Sequence, residues 1–215
     1  MEKFWNLIEN GNYNNQRLNG DIMSNNWIVS DTHFGHKNII TFKDNEGNLI
    51  RPFQSVEEMD ETMVKNWNDV VKPNDRVYHL GDVVINRKAL PILNRLNGRK
   101  CLIKGNHDLF KLQDYLPYFD DIRAYRVFPE HGIIFSHIPI YSGQLEGRFK
   151  RNVHGHCHSN YVMKDVYKGN TWDSEKFEHI PFYEKVIDER YINVCVEKTN
   201  FTPISFEEVL LRCKF

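Results

Sequence analysis

The chain has 215 residues, of which 40% are hydrophobic and 27% are charged. This composition is typical of a folded globular protein and excludes extensive disorder. The formal net charge is -1, so the chain as a whole carries no field that would attract nucleic acid or an acidic membrane, although local basic patches could still do so.

The cysteines and the apolar runs predict where the protein resides. The four cysteines are scattered, with no Cys-x-x-Cys pair, which favours free thiols in a reducing cytoplasm over a disulfide framework. No apolar run approaches the roughly 18 residues that span a bilayer. Met1–Trp5 also lack the apolar centre of a signal peptide. We therefore expect a soluble cytoplasmic protein that does not associate with membranes.

The first part of the chain predicts an N-terminal extension followed by one domain. Residues 1–25 are rich in Asn and Gly and are expected to form a short helix and a loop, and residues 26–215 are expected to form the single domain. Trp27–Val29 is a continuous apolar run, typical of a strand that is buried on both faces. A helix is predicted at Ser55–Asn68, because Ser55 is a good N-cap residue with a glutamate three positions later. Its core face comprises residues at helical spacing, Val56, Met59, Met63 and Trp67.

Strands and helices alternate along the next part of the chain, and strands dominate afterwards. Further strands are predicted at Arg76–Leu80, Lys100–Lys104, Ile122–Phe128, Gly132–Ser136 and Tyr191–Val196. Further helices are predicted at Arg87–Leu96, Leu109–Leu116 and Ser205–Arg212. Residues 160–190 show no regular period and are expected to be irregular. This order of elements indicates an α/β protein.

Polar side chains cluster directly after five of these apolar runs. In chain order the clusters are Asp31-Thr32-His33, Gly81-Asp82, Gly105-Asn106-His107-Asp108, His137 and His154-Gly155-His156-Cys157-His158. In α/β sheets, binding sites form at the carboxyl ends of strands. Carboxylate, amide and imidazole groups at five strand ends would supply enough ligands for two divalent metal ions.

Each cluster on its own also has an ordinary structural explanation. Asp31 and Asp82 could cap helices, Gly105–Asn106 could form a turn, and His137 could be a buried structural histidine. Without a binding site, however, five such coincidences would have to occur at five strand ends. The clusters together therefore favour a metal site.

The order and context of these motifs resemble the calcineurin-like metallophosphoesterases. The resemblance extends over residues 31–158, and the later segments Ile192–Val194 and Pro203–Ser205 are similar to a small bacterial and phage branch of that superfamily. It implies a four-layer αββα sandwich, in which two mixed β-sheets are flanked by helices and the metal site lies at the strand ends. One position departs from the family pattern: many members have Gly-Asp-x-x-Asp, whereas Ile85 occupies the last position here.

The resemblance also implies a full set of ligands for two metal ions. One ion would be held by Asp31, His33, Asp82 and His158, and the other by Asp82, Asn106, His137 and His156, with Asp82 bridging the two. We expect manganese, although iron, zinc, cobalt or nickel would suit the same donors. His156 and His158 are expected to face the same side of an extended segment.

His107 and Asp108 are the predicted catalytic residues. By resemblance, His107 faces the substrate and acts as a general acid toward the leaving oxygen, or stabilises the transition state as a cation. Asp108 is expected to hold its other ring nitrogen.

Three further residues are predicted substrate contacts, each with a structural alternative. His36 would bind a phosphate or cap the turn after Gly35. Arg51 would reach a phosphoryl oxygen or lie at the surface. Arg148, in the basic segment Arg148–Arg151, would bind a polyanion or belong to a solvated loop.

The resemblance, together with these residues, implies a binuclear-metal-dependent phosphoesterase, and we expect it to hydrolyse phosphodiesters of a nucleotide-type small molecule by means of a metal-bridging hydroxide. A phosphomonoesterase or protein phosphatase would use the same ligands. A DNA or RNA nuclease is the alternative suggested by the basic segment, although the net charge does not indicate it. A non-catalytic binding module with a vestigial site is a further alternative, disfavoured by the complete set of ligands.

Overall fold

The fold is built around a five-stranded sheet, described here from a computed structural model that covers residues 24–44 and 46–213. Nearly all of the predicted extension at residues 1–25 lies outside the described residues. The strand order is β11-β1-β2-β3-β4, with β1 to β4 parallel and β11 antiparallel to β1. These strands are β1 Asn26–Val29, β2 Arg76–His79, β3 Arg99–Ile103, β4 Asp121–Arg123 and β11 Ile204–Ser205.

A second, four-stranded sheet has the order β10-β7-β6-β5, in which β5 alone is antiparallel to its neighbour. Its strands are β5 Tyr125–Phe128, β6 Ile133–Ser136, β7 Arg151–His154 and β10 Tyr191–Asn193. Strands β5 and β6 form a hairpin, joined by a 3-10 turn at Pro129–His131. The predicted strand Ile122–Phe128 is divided between the two sheets, because β4 pairs with β3 and β5 pairs with β6.

Two apolar cores hold these layers together. Ile28 and Tyr78 of the first sheet pack with Phe135 and Val153 of the second in one core. The alternate residues of the first sheet, such as Val29, pack against helix α1, Val56–Val70. The predicted core face of α1 is confirmed, since Val56, Met59, Met63 and Trp67 are all buried. The two mixed sheets with their helices confirm the predicted fold class.

The remaining helices are short. Helix α2 is Leu112–Tyr115, and α3 is Phe206–Arg212, whose N-cap Ser205 accepts a hydrogen bond from the Glu208 amide as predicted. The element at Arg87–Arg95 is a 3-10 helix and not the predicted α-helix. Pro91 lies inside it and has no N–H to donate, which disfavours an α-helical turn there. No helix among the described residues is both long and apolar enough to cross a membrane.

Residues 160–190 are not irregular, which corrects the sequence-based expectation. They contain two long antiparallel strands, β8 Met163–Asp173 and β9 Glu178–Ile187, which form a two-stranded sheet of their own within the described part of the chain. Both faces of this ribbon are largely exposed, and Trp172 and Tyr183 are each 54% exposed. The ribbon follows directly from the turn that carries His156 and His158.

Candidate metal centre

Five loops meet where the parallel strands of the two sheets end. The loop after β1 is hydrogen-bonded to the loop after β2, since the amide of Asp31 donates to Gly81 O and the amide of His33 donates to Asp82 O, both at 3.0 Å. In the second sheet, the amide of Gly155 donates to His137 O at 3.0 Å. The backbone therefore fixes the polar residues that follow β1, β2, β6 and β7.

The backbone is strained at these residues. Five of the predicted metal ligands have a positive φ: Asp31 at 58°, His33 at 50°, Asp82 at 57°, His156 at 67° and His158 at 49°. Left-handed backbone costs a non-glycine residue of order 1–3 kcal/mol and is concentrated at functional sites. Elsewhere in the described parts of the chain, only Phe177, Asn200 and Phe201 among the non-glycine residues share this conformation. The strain therefore marks this edge of the sheets as a candidate site.

Asp31, His33 and His158 form one group of potential metal ligands. Asp31 Oδ1 lies 3.8 Å from His33 Nε2 and 3.9 Å from His158 Nε2. Both Asp31 Oδ1 and His33 Nε2 are buried and have no hydrogen-bond partner among the residues that the structure describes. A buried polar atom without a partner is costly, and a cation between these donors would compensate for that cost. Burial opposes the charge on Asp31, yet the neighbouring histidines, chiefly His33, lower the pKa of its carboxyl well below the usual range.

Asn106, His137 and His156 meet on the other side of Asp82. His137 Nδ1 lies 2.7 Å from Leu80 O, to which it donates, so the lone pair of its neutral ring is on Nε2. That Nε2 lies 2.8 Å from Asn106 Oδ1, which is also 2.9 Å from His156 Nδ1. Lone pairs that converge in this way on one point suit a cation.

Asp82 lies between the two groups. Its Oδ2 is 3.6 Å from His33 Nε2 and 3.4 Å from His137 Nε2. Its Oδ1 accepts a hydrogen bond from the backbone amide of His107 at 2.8 Å, which fixes the carboxylate plane. A carboxylate in this position can contact cations on both sides. The oxygen and nitrogen donors present therefore fit divalent metal ions.

Comparison with known proteins identifies the family of the chain. A family model described as calcineurin-like phosphoesterase matches residues 26–201. The chain belongs to this family. It is accordingly a metal-dependent phosphoesterase that acts on phosphoesters, and its buried donor groups are candidates for the metal ligands.

Relatives of this phosphoesterase occur in archaea, phages and bacteria. It is 33% identical over 192 residues to the uncharacterized protein MJ1445 of Methanocaldococcus jannaschii, covering 86% of this chain and 88% of that one. It is 34% identical over 121 residues to the Gene 66 protein of Mycobacterium phage L5, covering 54% and 52% of the two chains. The crystal structure of AQ665 from Aquifex aeolicus, a protein of unknown function, is 27% identical with a TM-score of 0.57, covering 86% and 97%.

The structure corrects the expectation that the two histidines after β7 lie in an extended segment. His156 and His158 lie in a turn in which both have positive φ, and not in an extended segment. They are nevertheless directed to different groups, because His156 contacts Asn106 and His158 faces Asp31. The backbone is left-handed at each histidine, whereas in an extended strand both side chains would face the same side.

Asp108 does not hold the ring of His107 in this phosphoesterase, contrary to expectation. Its buried carboxylate accepts hydrogen bonds from the backbone amides of Asp82 at 2.9 Å, Val83 at 3.0 Å and Gly105 at 2.8 Å. It thereby ties the loop after β3 to the loop after β2. The side chain of His107 is exposed, and its ring centroid lies 5.6 Å from that of His33. Asp108 is a positioning residue in this geometry.

Arg51 is not a surface residue, which corrects one of the two expectations for it, and its role as a substrate contact stays a prediction. Its side chain is fully buried and donates hydrogen bonds to the backbone oxygens of Asp31 at 2.5 Å and Thr32 at 2.8 Å. It also pairs with Glu197, with 2.8 Å between Nε and Oε1. The arginine therefore fixes the backbone of the loop after β1.

Glu197 was missed by sequence reasoning. It follows the predicted strand Tyr191–Val196 directly, so the rule that identified the other strand-end clusters would also have indicated it. In the structure, the strand ends at Asn193, and Glu197 lies in a 3-10 turn at Val196–Lys198. Its Oε1 lies 2.9 Å from Nδ1 of His158.

The other two predicted substrate residues lie in different surroundings. His36 is half-buried, with its ring centroid 5.8 Å from that of His33, and its side chain makes no capping hydrogen bond. It therefore remains a candidate substrate contact. Arg148 is exposed, with its guanidinium carbon 5.8 Å from the centroid of the Phe149 ring. Arg151 begins strand β7, so the basic segment is not a single loop.

Gly155 allows the turn after β7 to approach the loop after β1. A Cβ at this position would overlap Ser30 Oγ and Asp31 Oδ2. We expect Gly155→Ala to lower the free energy of unfolding by about 1–3 kcal/mol, as overpacking does, and to weaken metal binding by displacing Asp31. Urea denaturation and metal titration would measure both effects. Gly147→Ala is the matched control, because no atom lies within 4 Å of its added Cβ. Equal behaviour of the two variants would contradict the prediction.

His79 lies beneath the site as a neutral ring. Thr32 Oγ1 donates to Val83 O at 2.8 Å, so it accepts from His79 Nε2 at 2.9 Å, and His79 Nδ1 accepts from the Gly81 amide. Burial lowers the pKa of His79 to about 3. Because the unfolded chain has a higher histidine pKa of about 6.5, it binds more protons between pH 6.5 and 3, and stability falls as the pH decreases through this window.

The low pKa of folded His79 predicts that the free energy of unfolding decreases in acid. Between pH 7.5 and pH 5 we expect His79 to account for about 2 kcal/mol of lost unfolding free energy. Urea denaturation of metal-free protein at both pH values would measure the loss. His79→Gln should lose correspondingly less stability over the same interval. An identical pH dependence of the two proteins would refute the assignment.

Proposed function

We propose that this phosphoesterase hydrolyses phosphodiesters of nucleotide-type small molecules at a centre of two divalent ions, with manganese as the expected metal. In this proposal Asp82 contacts both ions. The remaining ligands are Asp31, His33 and His158 for one ion and Asn106, His137 and His156 for the other. One observation carries the proposal: the buried, unpartnered atoms Asp31 Oδ1 and His33 Nε2 face each other across 3.8 Å, beside Asp82 Oδ2.

In this proposal the residues around the centre donate a proton and bind the phosphoryl group. When bound, the ions supply positive charge opposite the phosphoryl oxygens and activate water as the nucleophile. His107 lies exposed beside His33, where its ring can reach a bound substrate and donate a proton to the leaving oxygen. The ring of His36 also lies beside His33, with 5.8 Å between the centroids, and can donate a hydrogen bond to a phosphoryl oxygen. A proton donor at this position suits an alkoxide leaving group, such as the one that a nucleotide-type diester releases.

The experiment is a comparison of substrates under one metal condition. Protein stripped of metal and reloaded with Mn²⁺ is assayed on bis-p-nitrophenyl phosphate and p-nitrophenyl phosphate, and then on cyclic nucleotides, dinucleotides and short oligonucleotides. We expect Mn²⁺-dependent hydrolysis that is faster for the diester. Faster hydrolysis of the monoester would indicate a phosphomonoesterase instead. Cleavage of oligonucleotides with an affinity that falls steeply with salt would indicate a nuclease. If the Mn²⁺-loaded protein hydrolysed none of these compounds, the result would contradict the proposed catalytic function.

A further inference from the structure

Glu197 is a buried carboxylate that joins a metal-ligand histidine to a buried arginine. Its side chain is 3% exposed, and the side chain of Arg51 is 0% exposed. Glu197 Oε1 lies 2.8 Å from Arg51 Nε, 2.7 Å from Arg51 Nη2 and 2.9 Å from His158 Nδ1. Two hydrogen bonds and one further ion-pair contact, from two different parts of the chain, therefore meet at a single carboxylate oxygen.

These contacts fix which nitrogen of His158 carries a proton. An ionised carboxylate can only accept hydrogen bonds, so the short contact to Glu197 requires a proton on His158 Nδ1. The lone pair of the neutral ring is then on Nε2, which is the atom that faces Asp31 Oδ1 at 3.9 Å. Hydrogen bonds of this kind set the tautomer and the orientation of metal-binding histidines.

Arg51 extends the same contact to the loop after β1. The guanidinium donates to the backbone oxygens of Asp31 and Thr32 while it pairs with Glu197. It thus holds the loop that carries Asp31 and the carboxylate that orients His158 in one arrangement. Without Glu197, the buried charge of Arg51 would have no compensating carboxylate, which is costly in a protein interior.

The second group of ligands is oriented by other contacts. His137 donates to Leu80 O, and His156 contacts Asn106. The Arg51–Glu197 pair contacts neither histidine through any hydrogen bond described for these residues. Its influence is therefore directed to the group formed by Asp31, His33 and His158.

We propose that Glu197, held by Arg51, is a positioning residue that sets the affinity of one ion of the pair, the ion bound by Asp31, His33 and His158. The inference rests on the proposed two-ion function. Loss of an orienting partner of a metal ligand typically costs about 10–100-fold in metal affinity. We expect a loss of that size at this ion only.

The test is a Mn²⁺ titration of full-length, metal-free protein, with bound metal measured by elemental analysis and by electron paramagnetic resonance. Wild type should bind two ions and show a spin-coupled pair. Glu197→Ala should bind one ion with unchanged affinity and the other about 10–100-fold more weakly, so that the signal of an isolated Mn²⁺ ion replaces the coupled signal at limiting metal. Exposed Glu189 gives the matched control Glu189→Ala, which should behave as wild type.

A second variant separates hydrogen bonding from charge. Glu197 Oε2 has no hydrogen-bond partner among the described residues, so Glu197→Gln can keep both hydrogen bonds at Oε1, from Arg51 Nε and His158 Nδ1, and lose the charge. Its metal affinity should lie between those of wild type and Glu197→Ala. Nitrogen-15 NMR of metal-free wild type should show a proton on His158 Nδ1, and this readout needs no variant.

The outcomes distinguish this inference from the proposed function. Wild type that binds fewer than two ions would contradict the two-ion function itself. Wild type that binds two ions, with Glu197→Ala binding both at wild-type affinity, would overturn the role of Glu197 alone. A metal-free wild type in which His158 carries a proton on Nε2 and none on Nδ1 would overturn it as well, even if Glu197→Ala failed to fold.

Discussion

Asp82→Asn is expected to lower the rate of phosphoester hydrolysis by at least about 10³-fold and to leave no more than one tightly bound metal ion. Asp82 Oδ2 lies within 3.6 Å of both His33 Nε2 and His137 Nε2, so it is placed to contact both ions. The amide of asparagine has nearly the same shape, but only one of its two polar atoms can bind a cation. The change therefore removes charge with little loss of packing.

The electrostatics explain why this effect should be large. Asp31 and Asp82 are the only carboxylates among the predicted ligands, so the substitution halves the negative charge that faces two divalent ions. Asparagine Oδ1 can still accept the His107 amide, which should keep the loop after β3 in place. The fold should thus survive while the bridge is lost.

Metal content by elemental analysis and turnover of a diester at saturating Mn²⁺ would measure the two effects. The control is Asp69→Asn, which breaks only an exposed pair with Lys65. Such pairs contribute well under about 1 kcal/mol. An Asp82→Asn protein with two ions and normal turnover would show that Asp82 does not bridge.

The strand-end residues could be predicted because parallel strands impose a simple geometry. The carboxyl ends of β1, β2 and β3 lie at one edge of the first sheet, so residues that follow them in sequence become neighbours in space. An apolar run followed by Asp, Asn or His is therefore a local signal with a three-dimensional meaning. What this signal could not show is the left-handed backbone at Asp31, His33 and Asp82, which depends on the hydrogen bonds between the loops.

Arg51 and Glu197 could not be paired from the sequence. They are separated by 146 positions, and neither lies in a motif with a characteristic spacing. An isolated arginine is most often exposed, so the expectation of a surface residue was reasonable on composition alone. Its burial results from the tertiary arrangement, in which two backbone oxygens and one carboxylate surround the guanidinium. The residues that position a site are harder to predict than those that form it.

The ribbon β8–β9 was not predicted because its strands are exposed. Sequence periodicity reports burial, and a strand produces an alternating pattern only when one of its faces is buried. Both faces of this ribbon are largely exposed, with aromatic residues on each strand, so the pattern carries no such alternation. Its long backbone pairing from Met163 to Asp173 is consequently invisible to an analysis of hydrophobic spacing.

The second large effect is expected for His107→Ala, which should lower turnover about 10²–10⁴-fold while the protein retains its full metal content. The backbone amide of His107 holds Asp82 Oδ1, and alanine keeps that amide. The side chain itself is exposed beside His33, so its removal creates no buried cavity. Chemistry and metal binding should therefore separate cleanly in this variant.

Comparison of leaving groups identifies the role of the ring. If His107 donates a proton, its loss should cost most for a basic alkoxide and least for an acidic phenol, which leaves without help. Turnover of a nucleoside diester should thus fall much further than turnover of bis-p-nitrophenyl phosphate. His131→Ala, at an exposed loop histidine, is the control. Equal losses on both substrates would mean that His107 stabilises the transition state as a cation and is not the acid, since charge on the phosphoryl oxygens develops with either leaving group.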